Sequence, residues 1–299
     1  IMAILNCFGH FFITGVAPVT FNIAIIGSSL LLYSALERAG ISPIFAVGIG
    51  VLIGGAAQLG FQVLPLLKDG YRYRPGLGLF HPGVRMVGKL AIPVIFGLAA
   101  TRVNVFINMF LASLLEQGSV SYLGYAFRLM DLPLGVFGVA VSTVALPRAA
   151  REAALEDREK VRETLSLSLR LVFLLTIPAS LLLVVLASPI VRILYERGKF
   201  GPGDTLATSQ ALVLYCIGIF AVASVKVVAS IFYSLKDSRT PMKVSFMSVA
   251  VNLLFSLLLL RALGFRALAL AASIAAIVNF GLLLWLLKRR MDTIDGRRM

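Results

Sequence analysis

Apolar runs of about 20 residues recur from one end of the chain to the other, separated by short polar breaks. A helix of that length rises far enough to cross the hydrocarbon core of a bilayer, which is about 30 Å thick. Backbone polar groups find no water there, so a spanning segment must satisfy them internally, as a helix does. The sequence therefore predicts an all-α, polytopic membrane helix bundle.

The composition supports this class and argues against two others. Hydrophobic residues make up 59% of the chain, above the roughly 45–50% apolar usage of soluble domains. The net charge of +14 could suit nucleic acid, but Lys and Arg lie mostly between the apolar runs, as membrane topology requires. We expect no nucleic-acid partner. Cys7 and Cys216 lie within apolar runs, and His10 and His81 form no ligand cluster, so no metal is predicted.

Polar breaks divide the chain into nine predicted segments. The first resembles the end of a helix and opens at Ile1 in mid-run, so we expect the sequence to be a fragment. The segments cover residues 1–14, 17–36, 43–66, 84–114, 120–146, 165–194, 204–235, 241–261 and 265–287.

The basic residues are distributed unevenly between the two sets of loops. One set holds 19 of the 28 Lys and Arg residues, and the opposite set holds six. Cytoplasmic loops carry the excess of Lys and Arg, so the richer set is predicted to face the cytoplasm. It comprises the polar parts of 68–89, 148–170, 236–243 and 288–298. The charged stretch 151–170 is predicted to form an amphipathic cytoplasmic helix that leads into the sixth segment.

The remaining three cations, Arg102, Arg128 and Lys226, lie inside predicted spans. A cation at mid-membrane costs roughly 2.5–3.5 kcal/mol on insertion scales, so such residues usually face a polar cavity. Asp131 is the one acid at comparable depth. The excess of positive charge predicts an anionic ligand.

Structural roles for these residues remain open at this point. Arg128 and Asp131 are three residues apart and share a helix face, so they could neutralise each other. Lys226 could extend its ammonium towards the membrane surface. For Arg102 the structural and functional interpretations are equally good. Paired carboxylates or a His/Asp set are absent from the spans, which argues against an enzyme.

Three motifs resemble a known family. They are YAFRLMDLPLGVFGVAVSTVALPRAAR, YERGKFGPGDT and VKVVASIFYSLKDSRTPMKVS, which begin at residues 125, 195 and 225. In this order they resemble the bacterial lipid II flippases (the MurJ/MviN family) of the multidrug/oligosaccharidyl-lipid/polysaccharide exporter superfamily. The resemblance implies a two-lobed, MATE-like exporter fold of which this chain covers about helix 4 to helix 12, with N-terminal and C-terminal helices missing.

The resemblance also implies a domain organisation. Residues 1–66 would form the second half of the N-terminal lobe and residues 84–288 the C-terminal lobe. Between them, residues 67–83 would form a cytoplasmic linker. Residues 289–299 would form a cytoplasmic basic tail.

The activity implied by the resemblance is alternating-access transport of lipid II, an undecaprenyl-pyrophosphate-linked peptidoglycan precursor, across the bacterial inner membrane. Arg128 matches a cavity arginine that holds the pyrophosphate, and we group Asp131, Lys226 and Arg102 with it as candidate substrate-binding residues. Membrane lipids would surround a monomer. The alternative is a polysaccharide-lipid or multidrug exporter of the same superfamily.

Some members of the family bind sodium between three helices. The positions matched here are Asn108, Asn252, Ser256 and Ser273, all neutral. Because a hard cation prefers carboxylate oxygens, the match gives only a candidate sodium site. No resident cofactor is expected, and transport would be coupled to Na⁺ or to the membrane potential.

Overall fold

A computed structural model describes residues 1–8, 10–71, 82–155 and 157–295. It divides into two compact units, Ile1–Gly78 and Leu79–Met299. The boundary lies within the predicted linker 67–83, most of which falls outside the described residues, as does the end of the predicted tail, 296–299.

The first unit consists of a short helix and a long helical hairpin. They are α1 (Met2–Cys7), α2 (Phe11–Arg38) and α3 (Ile44–Lys68). Helix α1 ends at Cys7 and α2 begins at Phe11, so the predicted break between segments 1–14 and 17–36 was wrong. Pro18 lies inside α2, where the surroundings of a membrane helix can re-satisfy the carbonyl that proline frees.

Two glycines allow α2 and α3 to approach closely. A Cβ at Gly50 would lie 2.0 Å from the Ser28 hydroxyl, and one at Gly54 would lie 2.9 Å from the Phe21 carbonyl oxygen. The Ser28 hydroxyl donates to the carbonyl of Ala46 at 2.9 Å. Small residues and an interhelical hydrogen bond are how helices associate in lipid, where apolar burial gives little driving force.

The second unit is a bundle of nine helices of the described chain. They are α4 (Pro82–Ser113), α5 (Ser119–Pro133), α6 (Ala140–Ala154), α7 (Arg158–Val185), α8 (Ala187–Tyr195), α9 (Pro202–Cys216), α10 (Ile219–Ser234), α11 (Arg239–Leu263) and α12 (Arg266–Asp295). Helix α10 packs against α6, α7 and α12, while α11 lies between α4 and α12.

Seven helical runs in the described residues are long and apolar enough to cross a membrane, and α9 with α10, bent by 43° at their junction, would form an eighth. These eight runs correspond to the last eight predicted segments, and α1 lies in the first. The all-α membrane class is confirmed. Predicted segment 165–194 is divided between α7 and the short α8.

The charged stretch 151–170 is divided between two helices: residues 158–170 begin α7 and lead into the sixth segment, as predicted, whereas residues 151–154 end α6. Helix α6 ends at Ala154 and α7 begins at Arg158. The carboxylate of Asp157 accepts a hydrogen bond from the Lys160 backbone N–H at 3.1 Å and caps α7. An N-cap acid satisfies an amide that has no partner within the helix, which fixes the start of α7 in the middle of the charged run.

Candidate functional site

The run from α5 to α6 changes its helical winding in the middle of the candidate span Ser119–Ala154. Residues Leu134–Val139 form a π-helical turn directly after Pro133. Proline has no N–H and so interrupts the regular hydrogen-bond ladder. A Cβ at Gly138 would lie 3.1 Å from the Cβ of Ala223 on α10, so this turn packs closely on α10. Single π-turns of this kind occur frequently at functional sites.

Arg128 lies on α5, one and a half turns before the π-helical turn, and is exposed. Its neighbour Phe127 packs edge-on against Tyr215 of α9, with ring centroids 5.9 Å apart. Among the described residues, Arg128 forms neither an ion pair nor a hydrogen bond, and its proposed partner Asp131 is likewise exposed. The two residues therefore do not neutralise each other by direct contact.

Lys226 lies across from the same turn. Its side chain is half-buried on α10, and its Cδ would be 3.9 Å from a Cβ at Gly138. Lys226 and Asp131 form no ion pair within the described part of the chain. Lys226 thus lies beside the π-helical turn, on the helix that packs against the run carrying Arg128 and Asp131.

Arg102 is exposed on α4 and makes no hydrogen bond or ion pair with any described residue. No hydrogen bond or ion pair between described residues joins it to Arg128, Asp131 or Lys226. Arg128, Asp131 and Lys226 are thus the candidates that lie on or against the run through the π-helical turn, and their role as one group stays a prediction. Arg102 lies on α4, outside that run.

This group has a net positive charge and guanidinium donors without partners. Guanidinium offers a planar set of donors that matches phosphate oxygens, and hydrogen bonds between charged groups are the strong ones. An unpaired arginine cannot face lipid without a large cost. The arrangement is suited to an anionic group that enters the membrane plane.

The predicted sodium-site residues do not all come together. Asn108 on α4 lies against Asn252 on α11, whose Nδ2 donates to the Asn108 Oδ1 at 3.1 Å. Ser256 donates to the Asn252 Oδ1 at 3.4 Å. Asn104, which the sequence interpretation missed, completes this set by accepting from both Asn252 and Asn108. Its spacing of four residues from Asn108 was the available signal.

Ser273 belongs to a different part of the bundle. Its hydroxyl donates to the carbonyl of Leu214 at 2.7 Å and lies 3.3 Å from that of Tyr215. Ser180 donates to the next carbonyl, that of Cys216, at 2.6 Å. These serines satisfy carbonyls at the break between α9 and α10, where the helical ladder is interrupted. A Cβ at Gly218 would lie 2.8 Å from the Ser273 Cα, so α12 approaches the break closely.

Comparison with protein families gives one match over the full length. Residues 1–299 match the family described as "Lipid II flippase MurJ". The chain is 36% identical over 281 residues to a probable lipid II flippase MurJ of Vibrio cholerae, covering 94% of this chain and 53% of that protein. It is 31% identical over 291 residues to the lipid II flippase MurJ of Burkholderia cenocepacia, covering 96% and 56%. The chain thus spans about half the length of these relatives.

Solved structures give the same picture of the fold. The structure resembles that of a lipid II flippase MurJ in an inward closed conformation with a TM-score of 0.69 and 29% identity, covering 93% of this chain and 56% of the other. A MATE crystallised in complex with MaL6 has a TM-score of 0.79 at 11% identity, covering 99% and 66%. The second likeness shows only the shared fold.

Proposed function

This chain belongs to the lipid II flippase MurJ family, and from that premise we propose that it supplies the second, cation-bearing part of an inner-membrane transporter for lipid II. The transporter would carry the lipid-linked precursor from the cytoplasmic to the periplasmic leaflet by alternating access, for cell-wall synthesis. It would work as a monomer and not as an enzyme.

One observation carries the proposal at the level of chemistry. Arg128 is exposed on a membrane-spanning run, has no partner among the described residues, and lies on the run that packs against Lys226. A pyrophosphate would supply the oxygens that this guanidinium lacks. Asp131 keeps the local charge from rising further, which would help the anion to leave after transport.

The alternative exporters differ in what they would require here. A drug exporter for cationic substrates would need acids in its cavity, whereas Asp131 is the one acid in the group. A polysaccharide-lipid exporter would share the need for basic residues. Against it stand the family match and the identities of 31–36% to curated members.

The test is lipid II binding by the chain in nanodiscs, for the wild type and for Arg128→Ala, Arg128→Lys and Lys226→Ala. Charge-assisted hydrogen bonds contribute about 1.5–3 kcal/mol, so Arg128→Ala should weaken binding by roughly 10–100-fold. Arg128→Lys should fall between this variant and the wild type, since it retains charge without the planar fork. Lys226→Ala should lose less than Arg128→Ala.

Arg261→Ala, at the exposed end of α11, is the matched control and should bind normally. Growth of a flippase-depleted bacterium then tests transport, using a chimera in which this chain replaces the matching part of the Vibrio cholerae protein. Normal binding and growth with Arg128→Ala would refute the assigned role of the arginine. Preference for an undecaprenyl-linked polysaccharide over lipid II would favour the alternative exporter.

A further inference from the structure

The contact between α4 and α11 contains a cluster of neutral amides, Asn104, Asn108 and Asn252, with Ser256 beside them. Asn252 is 1% exposed and Ser256 is fully buried. The cluster lies within predicted membrane spans, where such polar groups are costly unless they are paired. The side-chain hydrogen bonds of these four residues join them to one another.

The geometry centres on one donor. The Nδ2 group of Asn252 donates to the Oδ1 atoms of both Asn104 and Asn108, which are four residues apart on the opposite helix. The Asn104 Oδ1 also accepts from the Asn108 Nδ2 at 3.2 Å. The side-chain oxygens of two α4 residues thus converge on the side-chain amide of a single α11 residue.

Asn108, Asn252 and Ser256 are three of the four residues that the resemblance matched to a sodium site. A hard cation is held by converging oxygen atoms, preferably including carboxylates. Here the oxygens already converge on the two N–H bonds of an amide, no carboxylate is present in the cluster, and Ser273 is engaged at the α9–α10 break. The residues therefore do not fit a sodium site.

We propose that the Asn252 amide takes the structural place of a cation, so that α4 and α11 are joined by a built-in bridge that needs no ion. Asn104, Asn108 and Asn252 are positioning residues in this arrangement. The bridge holds α4, the helix that carries Arg102, to the α11–α12 pair in any salt. This inference goes beyond the proposed function and does not depend on the identity of the substrate.

The test compares thermal unfolding of the chain in nanodiscs in sodium chloride and in choline chloride at equal ionic strength. A ligand that binds the folded state raises its melting temperature. The wild type should melt at the same temperature in both salts. A higher melting temperature in sodium would overturn the proposal. Because this comparison uses only the wild type, it tests the proposal even if a variant does not fold.

Two variants that add the same charge to the cluster test whether the bridge depends on Asn252 as the hydrogen-bond donor. Asn252→Asp replaces the shared donor with an acceptor, so three oxygens converge without an N–H between them. It should melt lower than the wild type in choline, by roughly 2–10 °C, and regain part of that loss in sodium. Asn104→Asp keeps the Asn252 donor and strengthens its acceptor, so it should melt close to the wild type in both salts.

The outcomes separate clearly. Equal losses for Asn252→Asp and Asn104→Asp in choline would show that added charge, and not the removed donor, is responsible, and would overturn the bridge. Asn22→Ala, an exposed amide on α2, controls for the general effect of removing a membrane amide and should not change the melting temperature. A loss in that variant equal to the Asn252→Asp loss would also count against the proposal.

Discussion

Two contacts inside the second unit carry polar side chains within the membrane, and they are built in opposite ways. At the α4–α11 contact, the amides of Asn104, Asn108 and Asn252 satisfy one another. Beside the π-helical turn, Arg128 and Lys226 make no hydrogen bond or ion pair with any described residue. A polar cluster that satisfies itself contributes to the structure of the bundle. One that does not is available to a ligand, because a membrane offers no water to satisfy it.

The largest expected effect tests this contrast directly with Asn252→Leu and Arg128→Leu. Leucine at Asn252 removes the donor that the partly buried Asn104 and Asn108 oxygens share and leaves the Asn108 oxygen without a donor in the cluster. An unsatisfied buried group costs about 1–3 kcal/mol. Leucine at Arg128 removes an unpaired cation from an apolar setting, so the free energy of unfolding should stay the same or rise. Denaturation of the two variants in mixed micelles measures both changes. The contrast fails if Arg128→Leu loses as much stability as Asn252→Leu.

A smaller effect is expected from Ser273→Ala. This variant tests whether Ser273 stabilises the α9–α10 break or contributes to a cation site. Its hydroxyl donates to the Leu214 carbonyl at the α9–α10 break, so its loss should lower the free energy of unfolding by about 0.5–1.5 kcal/mol. The change should be the same in sodium and in choline. Ser166→Ala, an exposed serine on α7, is the control. A loss seen only in sodium would place Ser273 in a cation site instead.

The smallest effect belongs to a charge outside the membrane, at Asp157 between α6 and α7. Hydrogen bonds from the Lys160 side chain and backbone lower the pKa of this carboxyl. Because the folded pKa lies below the unfolded one, the contribution to stability is complete above the usual Asp pKa of about 3.9 and is lost as the pH falls through the folded value.

Asp157→Ala should therefore destabilise the chain slightly at neutral pH and flatten this acid dependence. Unfolding measured from pH 7 downwards compares it with Asp157→Asn, which retains a capping oxygen without the charge. An unchanged acid dependence in both variants would show that Asp157 does not contribute to the pH dependence of stability. In contrast to the two membrane contacts, Asp157 is partly exposed to water, which can replace most of the hydrogen bonds that the variants remove.

The sequence predicted the helical segments well and the contacts between polar residues less well. Hydropathy is a property of a continuous stretch, so eight of the nine segments correspond to helical runs that are long and apolar enough to cross a membrane. The helix ends differ from the prediction between α1 and α2 and between α6 and α7. Asp157 caps the start of α7, and Pro18 lies within α2 and does not end it.

The residues of the candidate site come from the sequence, and their role stays a prediction. The intramembrane cations Arg128 and Lys226 and the acid Asp131 are evident from sequence, because charged residues in long apolar runs are rare. The position of Lys226 against this run depends on the packing of Gly138 on Ala223. Gly138 lies in the π-helical turn after Pro133, which the hydropathy pattern does not reveal.

The sequence by itself determined that this is a multi-pass membrane protein of the lipid II flippase MurJ family, with three cations in its spans. Only the tertiary structure decided which polar side chains are already satisfied. It placed Asn104 in the amide cluster and moved Ser273 to the helix break. The physical reason is that span formation depends on the local cost of moving residues from water into lipid, whereas a hydrogen-bond partner depends on the register between helices far apart in the chain.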